Sequence, residues 1–177
     1  MRSPLIPALL LIALSLAPLG AQTAPATPEA KLAALGLTLP VTNAPIANYV
    51  PAVRSGNLVF LSGHLPFDAD GKVIAGKVGK DADEKLANTA ARTTALALLA
   101  TLKKEIGDLS KVKRIVKVSG FVNAVDDFKA QPAVINGCSD LLVSVFGDRG
   151  RHARAALGVA SLPRGAVVEI EMIVEVQ

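Results

Sequence analysis

Between Asp81 and Ile106, small and apolar residues recur at three- and four-residue steps, so that Ala87, Ala91, Thr94, Leu98, Leu102 and Ile106 share one face. That is the repeat of an amphipathic helix. Asp81 with Glu84 three residues on resembles a capping box, and Gly107-Asp108 supplies the stop. The pattern then changes period. From Val112 to Asn123, Val116, Val118, Gly120 and Val122 alternate with Ile115, Lys117, Ser119 and Phe121, which predicts a strand. Gln131 to Phe146 returns to helical spacing, with Val134, Cys138, Leu141, Leu142 and Val145 in one stripe, Pro132 in the first turn and Gly147 at the end. Two strands follow, Ala153 to Ser161 and Ala166 to Val176, separated by the hairpin-length connection Leu162-Pro-Arg-Gly165. In the last of them Val168, Ile170, Met172, Val174 and Val176 share a face, leaving Glu169, Glu171, Ile173 and Glu175 on the other.

Upstream, Asn57 to Ser62 reads as a strand entered through Ser55-Gly56 and left through Gly63. Asp68 to Gly71 reads as a turn and Lys72 to Ala75 as a short returning strand. Residues 22–45 contain Pro25, Pro28, Pro40 and Pro45 around the apolar patch Ala30 to Leu35, which Gly36 ends; this predicts a linker carrying a short helix. The sum over residues 46–177 is β-β-α-β-α-β-β, an α+β domain in which two helices cover one face of a mixed sheet. The other face would present Ile115, Phe121 and Ile173, and a second copy of the chain is the simplest cover for it.

Composition narrows the function classes. Of 177 residues 51% are hydrophobic and 19% charged, which excludes a disordered chain. Five Phe, one Tyr and no Trp argue against a base-stacking platform, and a net charge of +4 is too small to imply nucleic acid. One Cys and two His supply neither a disulfide nor a structural zinc site, and Cys138 reads as a small core residue. The apolar surplus is partly local. Arg2 is followed by an uncharged run from Leu5 to Ala17, by Leu19-Gly20-Ala21, and by polar, Pro-rich residues from Gln22 to Glu29. That order predicts a signal peptide over residues 1–21, cleaved near Ala21 and delivering the chain to the periplasm. The run is shorter than the roughly 20 residues a bilayer requires and Pro7 and Pro18 interrupt it, so no stable membrane anchor is expected.

No Gly-rich phosphate loop, nucleophile elbow or metal-type His spacing is present; what stands out are polar residues at strand ends. Three segments carry more information: Asn57-Leu-Val-Phe-Leu-Ser-Gly63, Ala153-Arg-Ala-Ala-Leu-Gly-Val-Ala-Ser-Leu-Pro163 and Val168-Glu-Ile-Glu171. In order and spacing they resemble the signature segments of the RidA (YjgF) family, also called L-PSP endoribonuclease-like proteins. The resemblance spans Pro45 to Gln177. It implies a chorismate-mutase-like fold and a homotrimer with ligand clefts between subunits. It also implies cofactor-free hydrolysis of small enamine or imine acids to a 2-keto acid and ammonia, with no metal.

Carried over by position, Arg154 matches the arginine that pairs with a substrate carboxylate, a task suited to a planar bidentate guanidinium. In an otherwise apolar strand it is expected to be costly without a partner, and a structural ion pair is the alternative reading. Glu169 matches the glutamate that orients the attacking water; the alternative is a solvated strand carboxylate. Ser62 and Gly63 match a Ser-Gly lining the cleft, or are a strand-ending turn. Tyr49 matches a cleft tyrosine, or merely packs, and Asn136 matches a cleft asparagine or lies on a helix surface. A hairpin through residues 162–165 would set Arg154 opposite Ile173, roughly 13 Å along the strand from Glu169, so that the two flank one small substrate. The sequence departs from the family pattern at His64, which stands where Gln is usual, at Leu65, at Ala156 and in a lengthened segment from Lys129 to Asn136. Three functions remain open: a deaminase, a trimer that binds small carboxylates without turnover, and an endoribonuclease. The last is disfavoured by few rings, small charge and no His pair spaced for acid-base cleavage of RNA.

Overall fold

The computed structural model describes residues 26–42 and 48–177. The expected signal peptide over residues 1–21 lies outside them.

The first element, α1 (Pro28–Ala34), begins at Thr27, whose hydroxyl accepts from the Ala30 N–H at 3.1 Å. Glu29 accepts from the Leu109 N–H and lies 3.3 Å from Lys103, which fixes the short helix to the far end of the longest one. Next come β1 (Ala52–Ser55) and β2 (Leu58–His64), joined by the two-residue turn Gly56-Asn57, in which Gly56 has φ 61°. β1 is an addition to the expected elements. Lys72 to Ala75, expected as a strand, forms only isolated bridges through Val73 and Ala75, because its backbone follows a turn set by Asp68, whose carboxylate accepts from the Asp70 and Lys72 N–H groups.

The long helix α2 (Glu84–Ile106) starts two to three residues later than expected. Its cap is Asp83, accepting from the Leu86 N–H at 2.7 Å, while Asp81 instead accepts from the Lys77 N–H within the preceding turn. The predicted face is otherwise intact: Ala87, Ala91, Thr94, Leu98, Leu102 and Ile106 are all buried. β3 (Val112–Asn123) and α3 (Gln131–Phe146) have the expected limits. Within β3 the alternation slips at Val116, where the register shifts, so Ile115 faces the core rather than the open side. β4 (Ala153–Val159) and β5 (Val168–Val176) complete a five-stranded sheet in the order β1-β2-β5-β3-β4.

The expected hairpin between β4 and β5 is absent. β4 pairs parallel to β3, and β3 lies between β4 and β5. Residues 162–165 instead make a tight turn that carries the chain over the end of β3. Its Arg164 adopts φ 58° and sets its guanidinium 5.5 Å from the centre of the Phe67 ring. β2-α2-β3 and β3-α3-β4 are therefore both parallel crossovers stepping the same way across the sheet, and their shared right-handedness puts both helices on one face.

The core lies between that face and the helices. Val118, Gly120 and Val122 of β3 stand beside Met172, Ile170 and Val168 of β5 beneath Leu98, Leu99, Leu102, Leu141 and Leu142. The helices approach closely at Gly137, where a Cβ would land on the Asn88 carbonyl. Asn88 in turn donates to the Ala133 carbonyl at 2.8 Å. The opposite face is open: Val53, Phe60, Ile173 and Lys117 align across four strands, with Val53, Phe60 and Leu157 exposed.

Gly137→Ala should be destabilised by about 1–3 kcal/mol or more, since the clash is with backbone and not with a movable side chain. Urea unfolding monitored by circular dichroism measures it; a change within error of zero would mean that the two helices separate at no cost.

Candidate functional site

The expected site residues fall into two groups. The first is built around a bulge. β2 pairs Leu61 with Met172 and His64 with Ile170, so Ser62 and Gly63 together stand opposite Glu171 alone. The bulge turns Gly63 towards Glu169, whose carboxylate occupies the space a side chain at 63 would need. The Ser62 hydroxyl donates to the Val50 carbonyl at 2.7 Å, and the Ser62 N–H bonds to the Pro51 carbonyl. These contacts hold the segment that carries Tyr49, whose side chain is exposed, beside the bulge. Ser62, Gly63, Glu169 and the backbone beside Tyr49 are thus neighbours.

Glu169 stands next to Phe121 on the open face of the sheet and is half-buried. Burial, with a smaller contribution from the negative charge of Glu171, pushes its carboxyl above the usual carboxylate range. Serines 62 and 119, Lys117 and Glu171 border a shallow concavity next to it, floored by Phe60 and Ile173.

The second group lies elsewhere. Arg154 pairs with Val118 and so points to the helix side of β4, the edge strand. There its Nη1 donates to Asn136 Oδ1 at 2.8 Å and to Ser139 Oγ at 3.1 Å, both on α3. Arg154 is exposed: an edge strand lets the side chain pass along α3 to water. Among the described residues no carboxylate lies within ion-pair distance of it. Asn136 is exposed on α3 and joined to Arg154.

Within one chain, therefore, Arg154 and Glu169 do not flank a common space. Strand alternation sets them on opposite faces of the sheet, because Arg154 shares the side of Val118 and Glu169 that of Phe121. The hairpin expectation failed for the same reason: β3 intervenes.

Two contributors escaped the sequence reading. His152 Nδ1 lies 2.7 Å from the Gly150 carbonyl and Nε2 3.1 Å from Ser139 Oγ. His64 repeats the arrangement, with Nδ1 2.7 Å from the Ser62 carbonyl and Nε2 2.8 Å from Thr101 Oγ1 on α2. Burial holds both imidazoles below their ordinary value, and the charge of Arg154 lowers His152 further. The available signal was positional: Asn136 and Ser139 sit at i and i+3 on a mostly apolar helix, and His152, just before β4, lies two residues from Arg154 on it. Cys138 is buried and its thiol is pushed up to about 12 by burial, so it packs as expected and is not a nucleophile. Among the described residues no three His, Cys, Asp or Glu side chains gather as a metal site, and no helix is long and apolar enough to cross a membrane.

A five-stranded mixed sheet with both long helices on one face, and polar groups at its bulge and edge, defines the chorismate-mutase-like α+β class. Residues 29–176 match the family model described as "YjgF/chorismate_mutase-like, putative endoribonuclease", and the chain belongs to this YjgF/RidA family. It is 45% identical to Protein TCP17 of Trypanosoma cruzi over 147 residues, 82% of this chain and 92% of that protein. It is 30% identical to the 2-iminobutanoate/2-iminopropanoate deaminase of Dermatophagoides farinae over 142 residues, 80% of this chain and 95% of that one. Among solved structures, Atu1372 of Agrobacterium tumefaciens, a protein of unknown function, superimposes with a TM-score of 0.79 at 49% identity, covering 85% of this chain and 92% of its own.

The raised Glu169 carboxyl has a consequence for stability. The folded protein holds this proton more tightly than the unfolded chain, so the group favours folding at pH below the ordinary carboxylate value, and that contribution is lost as pH rises through the raised one. Glu169→Gln removes the cost of the buried charge. Its urea midpoint should exceed that of the parent at pH 7.5, and the gap should close below about pH 4; a variant no more stable at pH 7.5 would contradict the assignment.

Proposed function

We propose that this chain is a deaminase of small imine and enamine acids, releasing a 2-keto acid and ammonia without a cofactor. The observation that carries the reading is Arg154, a fixed cation held by two neutral acceptors and matched by no carboxylate among the described residues. Such a guanidinium is poised for an anion brought from outside, and a planar carboxylate fits it bidentately. The name of the mite relative supports the substrate class.

The working cleft lies between subunits of a homotrimer, with Arg154 and Asn136 of one protomer facing Ser62, Gly63, Glu169 and Tyr49 of another. The opposite faces that these groups occupy in one chain, and the open apolar face of the sheet, support this assembly. In the reaction a water adds to the imine carbon while its proton passes to the Glu169 carboxylate. That proton then goes to nitrogen, giving the carbinolamine; the same carboxylate next carries the hydroxyl proton to nitrogen, and the C=O bond of the keto acid forms as the C–N bond breaks and ammonia leaves. A carboxyl raised above its ordinary value is a better base for the first transfer and still acid enough for the second. A binding trimer without turnover would use the same Arg154. Cleavage of RNA is less well served, since both histidines are engaged with a backbone carbonyl and a helix hydroxyl.

The test generates 2-iminopropanoate from alanine with an amino-acid oxidase in the presence of semicarbazide. Wild-type protein should scatter light as a trimer and should compete with the trap. Arg154→Ala should lower kcat/KM by about 30- to 100-fold, the loss of a charged hydrogen-bond pair. Glu169→Gln should lower kcat by about 100-fold or more. Failure of the wild type to compete overturns the deaminase; pyruvate binding that depends on Arg154, without turnover, would establish the binding trimer instead.

We also infer export to the periplasm from the basic start, apolar core and small-residue end of residues 1–21. Protein recovered from its native cell should begin near Gln22; an N-terminal sequence that starts at Met1 would overturn this.

A further inference from the structure

A chain of polar contacts leads to Arg154, and its hydrogen polarity can be worked out from one end. The Gly150 carbonyl can only accept, so the proton of His152 sits on Nδ1. The ring is half-buried beside a cation and stays neutral at neutral pH, which leaves Nε2 as an acceptor. The Ser139 hydroxyl therefore gives its one hydrogen to His152 Nε2 and offers its oxygen to Arg154 Nη1. Asn136 Oδ1 takes the other Nη1 hydrogen. A guanidinium has five N–H groups. With both on Nη1 engaged, the Nε–H and the Nη2 hydrogens are left for a ligand, and the Nε/Nη2 edge carries two parallel donors spaced for one carboxylate.

We propose that Ser139 and His152 are positioning residues for carboxylate recognition: together with Asn136 they lock Nη1 of Arg154 and so present its Nε/Nη2 edge, side-on, to a planar carboxylate. This rests on the reading of Arg154 as the carboxylate anchor. Ser139 acts on Arg154 directly and His152 acts through Ser139, fixing which way the hydroxyl points. Without the imidazole the hydroxyl is free to turn to its own helix backbone and to offer Arg154 a poorer acceptor.

The proposal separates binding from chemistry. Ser139→Ala should raise KM for 2-iminopropanoate and Kd for pyruvate by about 5- to 20-fold, one hydrogen bond to a charged group, with kcat within about twofold. His152→Leu should do the same. His152→Gln, whose amide oxygen can accept the Ser139 hydrogen, should bind pyruvate within about threefold of wild type. All three should match wild type in circular dichroism and size. The proposal is overturned if His152→Gln is as weak as His152→Leu, if Ser139→Ala binds pyruvate like wild type, or if its loss falls on kcat alone. Should the wild type neither bind nor turn over these acids, the carboxylate reading fails separately. The positioning chain is then read by ¹H–¹⁵N correlation of the histidine rings, assigned with the His64 and His152 variants. Wild-type His152 should show the Nδ1–H tautomer at pH 7.5 and Ser139→Ala a shifted Nε2, whereas an Nε2–H tautomer in the wild type would sink the chain itself.

Discussion

The geometry of the site depends on one constraint: β4 lies parallel beside β3 and not against β5. A parallel neighbour demands a crossover, and the crossover is α3, so the strand that carries Arg154, with His152 just before its first residue, is necessarily laid beneath the helix that carries Asn136 and Ser139. The same pairing makes β4 an edge, where a long cationic side chain can leave the sheet without being entombed. Had β4 and β5 formed a hairpin, Arg154 and Glu169 would have lain on adjacent strands, roughly 13 Å apart along them. With β3 between them, they are separated both laterally and by face.

Both groups of candidate residues are braced in one manner. In each, an imidazole grips the backbone carbonyl two residues before it and receives a hydroxyl from a covering helix, Thr101 from α2 in one case and Ser139 from α3 in the other. Each brace ties strand to helix across a boundary otherwise filled by apolar contacts, which are strong but not directional. His64 steadies the bulge that gives Glu169 its cradle; His152 steadies the hydroxyl behind Arg154. Burial suits both rings to the task, since a neutral imidazole has one donor and one acceptor to place.

The parts of the fold that were legible in the sequence are those set by period. The face of α2, both limits of β3 and α3, and the alternation of β5 all follow from which residues must be dry. Caps and pairings were less visible. Asp81 and Asp83 are equally good cap residues on paper, and only the turn before the helix decides between them. β1 is four residues long with an exposed Val53 and Arg54, too short for a period to show. Residues 162–165 suit a hairpin and an over-the-end crossing alike, and the choice is made by α3 delivering β4 to the outer edge of β3. Candidate site residues came one by one from the resemblance, and their division between the two faces was hidden until strand order was known. Ser139 and His152 were passed over since each has an ordinary explanation alone, and only the structure shows that they form a chain to Arg154, His152 through Ser139.

β5 comes last among the five strands in the chain but occupies the middle of the sheet, with β2 on one side and β3 on the other. As the protein is made, the β1-β2 hairpin and the β3-α3-β4 unit appear first and share no strand pairing. They are two fragments waiting for residues 168–176, whose alternate valines, Ile170 and Met172 also seal the core. A nascent chain of this design leaves its sheet open until residues 168–176 have emerged, exposing its strand edges to other chains meanwhile. The segment that completes the sheet is also the one that brings Glu169 to the bulge, so the chain has no formed site before it has a finished fold.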